Sequence, residues 1–131
     1  MTRYVIGPDV ALSLARDDVR IRGEHQLLAP ALLRSQVLSQ LFLSVRRGEI
    51  SAPEAERQLD YVRGLRLRLL GDRVLQRAAW QVADRLGWDD TLTAEYVALT
   101  QLQADALITL DAGLARAVAG LVPTESIDVL R

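Results

Sequence analysis

The chain has 131 residues, half of them hydrophobic and a quarter charged, with a net charge of −1, enough for one domain, residues 1–131, with a sizeable core. No apolar run approaches the ~20 residues of a membrane span and the N-terminus lacks the apolar stretch of a signal peptide. The absence of cysteine excludes disulfides and thiolate metal sites, so the expectation is a cytoplasmic protein with no membrane contact. A near-neutral total argues against a dedicated non-specific nucleic-acid binder but leaves room for a local patch. Residues 1–70 carry 11 Arg against 8 acids, residues 71–131 carry 5 against 9, and all 16 basic residues are arginine. That usage reflects either genome composition or the value of a planar, bidentate fork for phosphate contacts.

Taken in order, Arg3–Ile6 reads as a first strand, and Gly7-Pro8-Asp9 turns into a short helix through Val10, Leu12 and Leu14. A charged loop, 16–24, precedes a second strand, His25–Ala29, and Pro30 is expected to open a long helix with Leu33, Val37, Leu41 and Val45 at helical spacing. Gly48 stops it. Ser51-Ala-Pro-Glu54 is a capping-box pattern for the next helix, to about Arg63. Leu65, Leu67 and Leu69 alternate with arginines as in a strand. Asp72 caps a helix ending at Gly87, and another starts at Asp89-Asp90-Thr91. Strand Ala106–Leu110, a helix after Asp111 and a closing strand Ile127–Leu130 complete the chain. Strands alternating with helices predict an α/β fold, an αβα sandwich around a mainly parallel sheet.

The stretch Ala106-Leu-Ile-Thr-Leu-Asp111 is too short for a helix and suits a strand buried on both faces. Asp111 stands where that strand hands over to a helix. Ligands of open α/β sheets gather outside the carboxyl ends of strands, although a capping role alone would also explain an aspartate here.

Thr109-Leu-Asp111-Ala-Gly-Leu-Ala-Arg116, preceded by Glu95-Tyr96-Val-Ala-Leu99, resembles the C-terminal signature of PIN domains, in particular VapC-like toxins of bacterial toxin–antitoxin pairs. Tyr4–Leu12, Ala29–Leu38 and Arg46–Ser51 match the family's earlier segments in order, so the resemblance spans nearly the whole chain. It implies a PIN-like fold, Mg²⁺- or Mn²⁺-dependent endoribonuclease chemistry from about four acids, a small antitoxin partner and a homodimer formed by the helices of residues 31–63. Hard oxygen ligands are what magnesium requires, and such ions neutralise charge on the attacking and leaving oxygens.

Carried over position by position, three of the family's acids fall on Gly7, Gln36 and Thr93, and Asp111 alone matches. The resemblance therefore implies weak or altered cleavage, with Asp9 and Asp111 as the catalytic pair and Asp9, Asp111 and Asp90 as candidate metal ligands. The alternative is an inactive pseudo-nuclease serving as a binding or regulatory module. Asp9 has a structural and a ligand reading side by side, and Asp89 and Asp90 also suit a helix start. Arg34 and Arg116 are the candidate RNA contacts, against a reading as solvated surface. Trp80 and Trp88 are expected to pack rather than to stack on bases, and His25 to be structural. The serines have no histidine positioned to form a hydrolytic triad.

Overall fold

A computed structural model describes residues 1–131. The elements run β1 (Thr2–Ile6), α1 (Pro8–Arg16), β2 (His25–Pro30), α2 (Leu33–Arg46), α3 (Ala52–Gly64), β3 (Leu67–Leu70), α4 (Arg73–Leu86), α5 (Leu92–Gln103), β4 (Ala106–Ile108), α6 (Ala112–Val118) and β5 (Thr124–Glu125). A 3₁₀ turn, Ile127–Leu130, closes the chain. The sheet order is β3-β2-β1-β4-β5 and every pairing is parallel. The αβα sandwich expected from the alternation is therefore present, with a wholly parallel sheet.

The central strands are buried on both faces: Val5, Ile6, Leu28, Ala29, Leu107 and Ile108 are at most 2% exposed, the pattern that helices on both sides of a parallel sheet demand. Helix boundaries follow local chemistry. The Ser51 hydroxyl accepts the Glu54 amide at the start of α3, and the Asp72 carboxylate accepts the Leu75 amide at the start of α4. Gly87, at φ 68°, ends α4 in the left-handed conformation that glycine adopts without a Cβ clash.

Three local expectations are corrected. Pro30 does not open a helix: it is the last residue of β2, in register with Leu70, and the Ala31 amide bonds to the Leu70 carbonyl, so α2 starts only at Leu33. Residues Ile127–Leu130 are not a strand. Ser126 accepts the Asp128 amide and curls the segment into a 3₁₀ turn, leaving only Thr124–Glu125 to pair with β4. Trp80 is not in the core. The inward stripe of α4 is Leu75, Ala79, Val82 and Ala83, and Trp80 lies off it, 71% exposed. Trp88 does pack against the core.

Candidate active site at the carboxyl ends of β1 and β4

In the sheet Ile6 lies beside Ile108, so β1 and β4 end together. The β1–α1 turn delivers Gly7 and Asp9, and the segment after β4 delivers Thr109 and Asp111. From the neighbouring helices come Gln36 and Gln40, one turn apart on α2, and Thr93 and Tyr96, one turn apart on α5. These side chains line one cavity of about 260 Å³. The four positions singled out by the resemblance, Gly7, Gln36, Thr93 and Asp111, therefore line one cavity, and Asp9 joins them.

Asp9 is held by the backbone on both oxygens. Oδ1 accepts the Val10 amide at 2.9 Å, and Oδ2 accepts the Leu110 amide at 3.3 Å, tying the β1–α1 turn to the segment after β4. A Cβ added at Gly7 would stand 2.8 Å from Asp9 Oδ1. The Asp9 carboxylate thus occupies the space where a side chain at position 7 would begin.

Asp111 is the N-cap of α6. Its Oδ1 accepts the Leu114 amide at 3.1 Å, and its own amide donates to Thr109 Oγ1 at 3.0 Å. Its Oδ2 takes part in no hydrogen bond within the protein.

The Tyr96 hydroxyl donates to Gln36 Oε1 at 2.6 Å. Burial pushes that hydroxyl's pKa far up, and negative charge on Glu95 and Asp9 adds to the effect, so it remains a protonated donor. Oε1 keeps one lone pair beyond this bond, and the Gln36 NH₂ group, which donates and cannot ligate a cation, has no partner within the protein. A carboxylate at this position would offer the cavity charge; glutamine offers it a hydrogen-bond donor suited to phosphate oxygen.

The donor set of the cavity (two carboxylates and the Thr93 and Thr109 hydroxyls) is hard oxygen throughout, as magnesium requires. Three of the four carboxylate oxygens already accept an amide hydrogen, and nowhere in the chain do three acidic or histidine side chains stand together as a metal cluster. These residues fit a dication shared with a substrate phosphate better than one held by protein alone.

The remaining candidates separate. Asp90 accepts the Leu92 amide at 3.0 Å, which starts α5, and with Asp89 lines an adjoining depression that shares Thr93, Asp111 and Leu114 with the cavity. Arg116 Nη2 reaches back along α6 to within 3.9 Å of a Cβ at Gly113, on the Asp111 side. Arg34 does not join the site. It lies two residues before Gln36, about 200° around α2, and lines an apolar groove of about 410 Å³ with Val37, Leu59, Val62 and Leu67. His25 packs its ring on Tyr4 at 5.2 Å, in the β1–β2 layer.

Two contributors escaped the sequence reading. Gln40 lies one turn after Gln36, a spacing that could have revealed it. Glu95, half-buried and with its pKa raised by burial, acts on the Tyr96 hydroxyl and could be found only through its adjacency to that tyrosine.

No protein-family model matches the sequence, and no curated protein matches it. Solved structures do. The crystal structure of PAE2754 from Pyrobaculum aerophilum superposes with a TM-score of 0.73 at 21% identity, covering 97% of this chain and 90% of that one. A chain of the VapBC2 structure from Rickettsia felis, bound to a DNA fragment from their promoter, superposes at 0.63 and 12% identity, covering 95% and 98%. At these identities the likeness establishes the architecture alone: the chain has the PIN-like fold of these structures.

Proposed function

We propose that the protein is a toxin-type, VapC-like PIN-domain endoribonuclease with a reduced acidic site, cleaving RNA weakly in the presence of Mg²⁺ or Mn²⁺. One observation carries the reading: Asp9 and Asp111 line a single cavity at the carboxyl ends of β1 and β4, together with the residues at the three altered family positions. A divalent ion bound there with substrate would neutralise phosphate charge and lower the pKa of an attacking water. Asp9 and Asp111 are the residues that would hold it. Tyr96 fixes the Gln36 amide, whose NH₂ can contact phosphate, and Arg116 adds positive charge at the Asp111 rim.

Protein partners fit the same reading. Leu38, Phe42 and Leu43 on α2 are 57%, 63% and 44% exposed, an apolar patch of the kind that marks an interaction surface. It supports a homodimer or a small antitoxin-like protein on the helices of residues 31–63. No helix is long and apolar enough to cross a membrane, in keeping with a cytoplasmic protein.

A second reading, an inactive PIN module that binds partners, is favoured by the engagement of both Asp9 oxygens with backbone amides. Incubating purified, partner-free protein with a mixed RNA pool and Mn²⁺ or Mg²⁺ decides between the two. Slow cleavage abolished by chelator and by Asp111→Asn is the expected result. No cleavage above the Asp111→Asn control, from folded protein, overturns the nuclease and leaves the binding module.

A further inference from the structure

We propose that the solvent face of α4 is a docking site for single-stranded RNA, with Trp80 stacking on a base and Arg73 and Arg77 holding flanking phosphates. Trp80 is 71% exposed and Val74 is 61% exposed, although α4 has a complete inward stripe without them. Arg73, Arg77 and Trp80 follow one another at spacings of four and three, so they share one helix face. With Val74, Gln76 and Gln81 they line a shallow depression of about 850 Å³.

The polar groups of this face are uncommitted. The ion pairs of the protein involve Arg57, Arg63 and Arg131, and no side-chain hydrogen bond involves Arg73, Arg77, Gln76 or Gln81. Asp72, at the start of α4, directs its carboxylate to the Leu75 amide at 2.8 Å. The acid beyond Trp80 on this helix is Asp84, one turn further on and outside the depression.

An exposed aromatic ring beside two unpaired guanidinium groups matches a single strand: every base offers a π-face, and arginine follows the backbone. A second copy of this chain fits less well. In a two-fold contact each surface meets itself, which sets Arg73 and Arg77 of one copy near those of the other. The two apolar side chains of the patch offer little area to offset that repulsion. Beyond Trp80, α4 runs about 9 Å further to Leu86, and Trp88, Asp89 and Asp90 then enter the depression that holds Asp111.

The choice of RNA rests on the ribonuclease reading, so the test measures binding alone. Fluorescence anisotropy of a labelled oligouridine of about 12 nucleotides is followed in chelator at about 50 mM salt. Trp80→Ala should weaken binding about tenfold, the usual range for one lost stacking partner, while Trp80→Phe retains most of it. Arg73→Ala and Arg77→Ala should each reduce the slope of log K against log salt by about 0.7. The exposure of all three residues predicts unchanged circular dichroism in every variant. Equal affinity of the parent and Trp80→Ala overturns the proposal, as does a parent that does not bind. Dissociation of a dimer by Trp80→Ala, with RNA affinity unchanged, also overturns it by assigning the face to a protein contact. A parent that binds through Trp80 yet cleaves nothing retires the nuclease and keeps the docking site.

Discussion

Returning an acid to the end of β1 probes how Asp9 is built into the fold. In Gly7→Asp the new Cβ would lie 2.8 Å from Asp9 Oδ1, so the Asp9 carboxylate must move. Moving it breaks its bonds to the Val10 and Leu110 amides. Hydrogen bonds to a charged group contribute about 1.5–3 kcal/mol each, and solvent exposure with a 3.3 Å second bond brings the pair to about 2 kcal/mol. Two carboxylates about 4 Å apart near a protein surface repel by at least about 1 kcal/mol. The total, about 3 kcal/mol, corresponds to a fall in Tm of about 10 °C for a domain of this size. In an Asp9→Ser background both the clash and the repulsion are gone, and adding Gly7→Asp should then cost less than about 1 kcal/mol, leaving about 2 kcal/mol of coupling. Urea unfolding of the four proteins, followed by circular dichroism, measures it. Additivity of the two substitutions within about 0.5 kcal/mol would refute the account of Asp9 as the occupant of that space.

Tyr96→Phe removes the bond to Gln36 Oε1 and should cost about 1 kcal/mol in thermal or urea unfolding, with no loss when Gln36→Leu is already present. Asp111→Ala should cost about 1 kcal/mol through loss of the α6 cap, whereas Asp111→Asn keeps the cap and removes the charge, so a comparison of Tm and cleavage separates the two roles. Hydrogen bonds from Arg57 and then Gln58 hold the Glu54 carboxyl down at about 2, against an ordinary value of 4.5. A depressed folded-state pKa gives stability that is complete above about pH 4.5 and is lost as pH falls towards about 2. The stability difference between parent and Glu54→Gln should therefore shrink across that window in an acid titration. Finally, Gln36→Glu with Thr93→Asp should raise Mg²⁺ affinity, read by isothermal titration calorimetry, because each change adds a carboxylate to a cavity lined by two; unchanged affinity would place the metal elsewhere.

Sequence periodicity carried the architecture because the signals were local. Ala106–Ile108 could be seen as a buried strand from its own residues, and Asp111, Ser51 and Asp72 mark the residue before a helix, each accepting the amide three residues on. Convergence of Gly7, Gln36, Thr93 and Asp111 followed from the family resemblance. The long-range details did not follow. The bond from Leu110 to Asp9 spans 101 residues, and no pattern near either residue encodes it. Arg34, expected near the Asp111 edge, lies two residues from Gln36 on α2, and two residues along a helix point nearly opposite ways. The expectation that Trp80 packs fails because only the packing of α4 shows which of its apolar residues turn inward: Leu75, Ala79, Val82 and Ala83 do, and Trp80 does not.

The two borders of the sheet differ in a way that bears on solubility during synthesis and storage. An open parallel border can recruit strands from other chains and seed aggregates. At one border β5 is two residues long and too short to serve as a template. At the other, β3 is longer and leucine-rich, but Arg68 stands exposed in its middle and Arg66 just before it. Another copy adding in register would stack these cations on their equivalents. Replacing both arginines with threonine would leave the hydrophobic side of β3 intact and remove that electrostatic guard.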